Sequence, residues 1–366
     1  MNDLMVHFKL NSSALGHLTS AVQFGFIIGT LTFAIFTISD RFSPSKVFFL
    51  SAACGALCNL GILWKFNNLF SLLVCRFFTG FFLAGIYPVG MKIATDYFKN
   101  GLGKSLGYLV GALVMGTAFP HFLNGIPGTF HWKSVLLCTS CMAVLGGLLI
   151  FVLVPDGPYR KPSKRADFSA FLKVFQHKKF RSVTFAYFGH AWELYTFWAF
   201  VPIILTKYGE KHTAIAHNIS MFSFLIIGIG GISCVLSGYL SQKYGPKKIA
   251  HISLVLSCLC CLISPIVLNS EVEVIFLGFL FVWGMVVISD SPLLSTMIAQ
   301  NTTAEHKGTA LTIVNCIGFL ITIVSIQCIS YLIELTTAYW IYSILAIGPA
   351  IGVFTLRNKN FKASAV

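Results

Sequence analysis

Acidic residues are scarce in this chain: Asp and Glu number 12 in 366 residues, and charged residues of both signs make up 10%. Soluble domains carry about 25% charge, so an arrangement of two or three water-facing domains is excluded. No segment alternates apolar and polar residues at every second position, which excludes the strands of an outer-membrane barrel. A G-x4-G-K-S/T phosphate loop is missing, which argues against ATP-driven chemistry. No nucleophile–base pair or metal cluster stands out near a polar boundary, so an enzyme is not expected. Residues 1–16 (MNDLMVHFKLNSSALG) are too polar and too short for a cleavable signal peptide. Cys138 and Cys141 have C-x-x-C spacing, but no second pair or His shares their apolar run. The 11 cysteines, Cys54, Cys58, Cys75, Cys258, Cys260 and Cys261 among them, read as small apolar fillers. Neither a metal nor a cofactor is expected.

Hydrophobic residues make up 56% of the chain, with 35 Phe, 31 Gly and a mean hydropathy of +0.80. Apolar runs of about 20 residues are the length that crosses a bilayer as a helix. Eleven can be read: about 17–38, 47–64, 69–97, 105–125, 133–154, 182–206, 218–240, 249–268, 273–299, 309–333 and 337–356. The expected fold class is an all-α integral membrane protein.

The longest polar stretch, PDGPYRKPSKRADFSAFLKVFQHKKFR, runs from Pro155 to Arg181, carries eight Lys or Arg, and divides five runs from six. It reads as a cytoplasmic linker with a short surface helix near 167–178, between halves at 1–154 and 182–366. The net charge of +14 does not mark a nucleic-acid partner, because the basic residues sit in short gaps with no stripe and no aromatic platform. Counted over alternate gaps, 19 Lys and Arg lie on the linker's side and five on the other. The excess places the linker and the C-terminus in the cytoplasm. The N-terminus then falls outside, which is odd for a chain without an export signal.

An internal repeat accounts for that oddity. Gly80 precedes Pro88 by eight residues in the third run, and Gly284 precedes Pro292 by eight in the ninth. Gly103-Lys-Ser-Leu106 then matches Gly308-Thr-Ala-Leu311. Upstream, Asp40-Arg41-Phe-Ser-Pro-Ser-Lys46 matches Gln242-Lys243-Tyr-Gly-Pro-Lys-Lys248. The halves correspond run for run, except that the first lacks its opening helix.

These residues resemble the major facilitator superfamily of secondary transporters over nearly the whole chain. That family carries G-x3-D-R/K-x-G-x-R/K-R/K between the second and third helices of each half. Gly238, Lys243, Gly245, Lys247 and Lys248 fit it, with Gln242 in the acidic place; Asp40, Arg41 and Lys46 fit in the first half, where Phe36 and Ser43 replace the glycines. Arg76 with Gly80 resembles the R-x3-G element of the family's fourth helix. The drug-antiporter signature G-x3-G-P-x2-G-G is not met by Gly107, Gly111, Gly116 and Pro120. The resemblance implies a two-half bundle in which the runs are helices 2 to 12, with Met1 near the outer end of an absent helix 1. It also implies that the two signature loops latch the cytoplasmic side.

A charge inside a span is costly unless paired or hydrated, and so marks a candidate site. Arg76, Glu193 and Asp290 stand out. By resemblance they fall on helices 4, 7 and 10, which line the family's central cavity. Gly80, Leu83 and Tyr87 share the Arg76 face, a groove whose guanidinium suits an anion; alternatively Arg76 bonds a neighbouring carbonyl. His190 lies one turn before Glu193, and Gly189 and Thr196 extend a polar stripe flanked by Trp192, Tyr195 and Trp198. His190 and Glu193 could exchange a proton, or bond to each other and lock the helix. Asp290, beside Pro292, reads as a substrate or cation contact, an inner-gate partner or part of a helix kink. Lys92 and Asp96 are expected to pair locally, with Lys92 reaching towards the interface.

The reading that follows is a monomeric membrane transporter of a small, anionic solute, coupled to protons through Glu193 or Asp290. The alternative is a truncated remnant or sensor of the same fold that moves no solute. Lys outnumbers Arg 20 to 6, which points to an AT-rich bacterial genome and an inner-membrane location.

Overall fold

The computed structural model describes residues 7–8, 13–126, 132–161, 175–303, 307–336 and 338–357. Its long helices are α1 (Ser13–Ile35), α2 (Pro44–Gly61), α3 (Leu69–Leu83), α4 (Tyr87–Tyr97), α5 (Leu102–Gly125) and α6 (Trp132–Leu153). They continue as α7 (Lys178–Gly209), α8 (Ile219–Tyr244), α9 (Pro246–Val267), α10 (Glu273–Ser289), α11 (Ser291–Gln300), α12 (Lys307–Leu335) and α13 (Ile347–Arg357). Short turns at Ile38–Arg41, Thr213–Ala216 and Tyr339–Ala346 complete the path, and no strand occurs among the described residues. Each of the eleven apolar runs falls on one of these helices or on two in succession. Among the described residues, eight spans are long and apolar enough to cross a membrane, Leu69–Tyr97 (α3 with α4) and Glu273–Gln300 (α10 with α11) being two of them. The expected surface helix lies largely at 167–174, outside the described residues.

Helices are the solution a bilayer imposes, because each satisfies its own backbone polar groups without water. The burial pattern agrees. Ile266, Val274 and Phe354 present their side chains outward, as do Leu145, Leu149 and Val152 along α6, whereas Thr184, Ser257, Ser295, Lys92, Glu193 and Asp290 are buried. An exposed apolar belt of this kind suits acyl chains rather than water.

The fold divides into two units. The first comprises residues 1–99, 128–171 and 303–319; the second comprises residues 100–127, 172–302 and 320–366. In the first, α3 begins at a capping box. Asn68 Oδ1 accepts from the Ser71 N–H, and Ser71 Oγ accepts from the Asn68 N–H, each at 2.9 Å.

The repeat read from sequence has a physical counterpart in each unit. In the first, a Cβ on Gly80 would lie 1.9 Å from the Val22 carbonyl oxygen, so α3 and α1 cross backbone to backbone. In the second, a Cβ on Gly284 would lie 2.2 Å from the Ile226 oxygen, so α10 crosses α8 in the same way. Eight residues later, Pro88 and Pro292 each stand at the second position of a new helix, α4 and α11. There the missing N–H would have had no intrahelical partner in any case.

Candidate functional site

Three helices of the second unit converge on Glu193, near the middle of α7 and 1% exposed. Its Oε1 accepts from Ser257 Oγ at 2.6 Å, Trp283 Nε1 at 2.7 Å and Cys261 Sγ at 3.1 Å. Ser257 and Cys261 are four apart on α9 and share one face of it. Trp283 is fully buried on α10, and its indole N–H finds an acceptor in the carboxyl. Three donors on one oxygen fix the Glu193 side chain.

His190, also on α7, points elsewhere. Its Nδ1 lies 2.8 Å from Asp290 Oδ1, with side-chain exposures of 3% and 2%. The contact is close but Asp290 Oδ1 makes no aligned hydrogen bond among the described residues. Asp290 is the single residue between α10 and α11, and its carbonyl accepts from Leu293 and Leu294, which starts α11. The carboxyl is thereby held where the helical path restarts. It also lies close enough to Glu193 for its charge to act there. Two carboxyls and one imidazole, those of Glu193, Asp290 and His190, are thus shielded from solvent within this unit.

Two sequence expectations are corrected here. His190 and Glu193 do not pair with each other: α9 and α10 supply the partners of Glu193, and Asp290 takes His190. The stripe extended by Gly189 and Thr196 is helix packing. Gly189 abuts the Gly348 backbone of α13, and Thr196 Oγ1 is 2.5 Å from Ser325 Oγ on α12. Trp198 is buried with its ring edge-on to Tyr195 at 5.3 Å, and its Nε1 has no hydrogen-bond partner among the described residues.

In the first unit, Arg76 sits half-buried on α3 and Tyr87 opens α4. They do not share a continuous helix face, because α3 ends at Leu83. Gly80 is closed off by the Val22 backbone, so the expected groove beside Arg76 is corrected to a helix crossing. Lys92 hydrogen-bonds Asp96, as expected for the i, i+4 pair, but does not reach the interface. It is 1% exposed, and its Nζ also lies 3.7 Å from Asp40 Oδ1. Burial between two carboxylates holds the ammonium more firmly than an interfacial position would.

The signature loops differ from each other at the glycine. Gly245, between α8 and α9, has φ +83°, a conformation that other residues rarely adopt. Its counterpart Ser43 has φ −57° and donates to Asp156 Oδ1 at 2.7 Å, so no glycine is required there. Arg41, Lys46, Gln242, Lys243 and Lys248 are exposed at these turns, and Lys247 is half-buried. Sequence reasoning missed Ser257, Cys261 and Trp283. Trp283, inside an apolar run, was a usable signal, since an indole N–H in such a place commonly seeks an acceptor; Cys261, expected as apolar filler, donates to the carboxyl instead.

Long apolar helices with charged and titratable groups sequestered inside mark a multi-pass membrane protein. The Major Facilitator Superfamily profile matches residues 1–326, and the chain belongs to that family. The chain is 24% identical over 265 residues to the "Multi-drug resistance efflux pump PmrA homolog" of Lactococcus lactis, covering 71% of this chain and 64% of that protein. It is 23% identical over 278 residues to the "Multidrug resistance protein MdtG" of Klebsiella pneumoniae, covering 74% and 66%. The matched segments thus span about two thirds or less of these relatives' lengths. In fold it is similar to the crystal structure of the E. coli fucose:proton symporter FucP, with a TM-score of 0.72, 15% identity, and coverage of 97% of this chain and 93% of that one.

Proposed function

We propose that this transporter moves a small anionic solute by alternating access and couples the movement to protons. The observation that carries the reading is the buried set of the second unit: Glu193 held by three donors, with His190 and Asp290 2.8 Å apart beside it. Buried ionisable groups in membrane helices are costly and are retained where they serve ion or proton movement. Arg76 is the proposed anion contact, supported by its permanent charge and its half-buried place within a span. That FucP is named as a proton symporter supports the coupling.

The chain is further proposed to work as halves at residues 1–154 and 182–366 joined by the linker at 155–181. The Gly80–Pro88 and Gly284–Pro292 repeat supports this division. The basic excess of the linker's side supports a cytoplasmic C-terminus in a bacterial inner membrane, and a monomer is proposed as the working unit. Efflux is a second reading, favoured by the printed names of the curated relatives.

Membrane vesicles of both orientations distinguish the two. With an imposed pH gradient, labelled organic anions accumulate in right-side-out vesicles under the first reading. Under the second, amphiphilic dyes accumulate in everted vesicles. Solute movement that ignores the pH gradient in both preparations would end the proton-coupled reading.

A further inference from the structure

At one end of the second unit lies a cavity of about 930 Å³ that is separate from the residues of the buried set. Its basic wall is Lys179 from the start of α7, Lys247, Lys248 and His251 from the first turns of α9, and Arg357 from the end of α13; Tyr244, Gln300 and Asn301 add neutral polar groups. Among the described residues no Asp or Glu lines it. Lys179 and Arg357 have no carboxylate within ion-pair distance among the described residues. Like charges gathered around one cavity repel one another unless an anion enters.

Two further features point to a ligand. Nδ1 of His251 is buried and has no hydrogen-bond partner among the described residues, although buried ring nitrogens are normally satisfied. Lys247, His251 and Arg357 all line this one cavity. The remaining wall includes Ile252, Met297 and Leu356, which are apolar. A volume near the upper end of small-molecule pockets is too large for a bare phosphate ion and suits a phosphate carrying an organic body.

We propose that this cavity binds a phosphate-bearing anion, with Arg357 and Lys247 on the phosphate and His251 donating through Nδ1. Arg matches phosphate oxygens with its planar fork, and Lys supplies compact charge. The phosphate can come from an anionic phospholipid entering between helix ends or from a soluble phosphate ester. The apolar wall serves the organic part in either case.

The test uses the full chain in phosphatidylcholine nanodiscs. In one arm phosphatidylglycerol is titrated into the discs, and retained lipid is counted by native mass spectrometry. In the other, glycerol 3-phosphate is titrated in buffer and followed by calorimetry. The site predicts saturable binding of about one ligand per chain in at least one arm, and the arm that responds identifies the source. Lys179→Gln with Arg357→Gln, both exposed positions, should weaken that binding by roughly fivefold per cation, about 25-fold together. The charge-matched control Lys46→Gln with Lys65→Gln, both exposed and outside the cavity wall, should leave it unchanged. Unchanged thermal unfolding of the double variant separates lost binding from lost folding. Should neither ligand bind above the phosphatidylcholine background, or the double variant bind like wild type, the site is wrong.

Discussion

Nδ1 of His190 and Oδ1 of Asp290 lie 2.8 Å apart, both nearly sealed from solvent, and tie α7 to the junction of α10 and α11. Removing one member leaves the other buried without its partner, at a cost of about 3 kcal/mol. Asp290→Ala is therefore expected to lower the unfolding temperature in detergent clearly. The double variant His190→Gln with Asp290→Asn, which can form a neutral contact, should recover part of the loss. If Asp290→Ala melts like wild type, the pair does not hold the junction.

The backbone crossings make a sharper stability prediction. A methyl at Gly284 would meet the Ile226 oxygen at 2.2 Å, whereas one at Gly278 on the same helix meets nothing within 4 Å. Gly284→Ala should destabilise the protein by about 1–3 kcal/mol through forced separation of α10 and α8. Gly278→Ala should be neutral or slightly stabilising, since alanine is the better helix former. Gly80→Ala should behave like Gly284→Ala. Equal melting of Gly284→Ala and Gly278→Ala would contradict the crossing.

Lys92 lies between Asp96, which it hydrogen-bonds, and Asp40 at 3.7 Å. Lys92→Gln removes the ammonium that two buried carboxyls share, while Asp96→Asn leaves Lys92 with Asp40. The first should destabilise more than the second, by a margin of about 1–2 kcal/mol. Chemical denaturation of the two variants side by side reads the order directly, and the reverse order would refute this account of Lys92.

Much of the fold was legible because a membrane leaves few choices. The apolar runs placed the helices, and the Gly80–Pro88 and Gly284–Pro292 spacings found matching crossings and helix restarts. The candidate charges stood out for the same reason, since a charge such as that of Arg76, Glu193 or Asp290 is costly in a span unless paired or hydrated. Their partners were not. His190 and Glu193 are three apart and looked like a pair, but a side chain's direction is set by the helices packed against it. The donors to Glu193 come from positions 257, 261 and 283, distant in sequence and individually unremarkable apart from the tryptophan. Lys92 likewise looked interfacial by itself; its second carboxylate, Asp40, lies on a separate short helix.

Arg76 tests the charge preference of the solute. Arg76→Lys keeps the positive charge but loses the bidentate fork, so the affinity for a carboxylate or phosphate solute should fall about tenfold. Arg76→Ala should fall further, and neutral analogues should be affected less than anionic ones. Equal binding of an anionic solute by Arg76→Ala and wild type would remove Arg76 from the site.

The most direct test of proton coupling is transport by Glu193→Gln in proteoliposomes. A panel of labelled organic anions is offered to wild type and variant under an imposed pH gradient, and solute counterflow is measured without one. Glutamine preserves the size of the side chain and an acceptor oxygen for Ser257, Trp283 and Cys261, but cannot release a proton. The account predicts that wild type concentrates at least one anion, and that Glu193→Gln loses accumulation while retaining counterflow. Accumulation by Glu193→Gln equal to wild type, or no solute movement by folded wild-type protein, would contradict it.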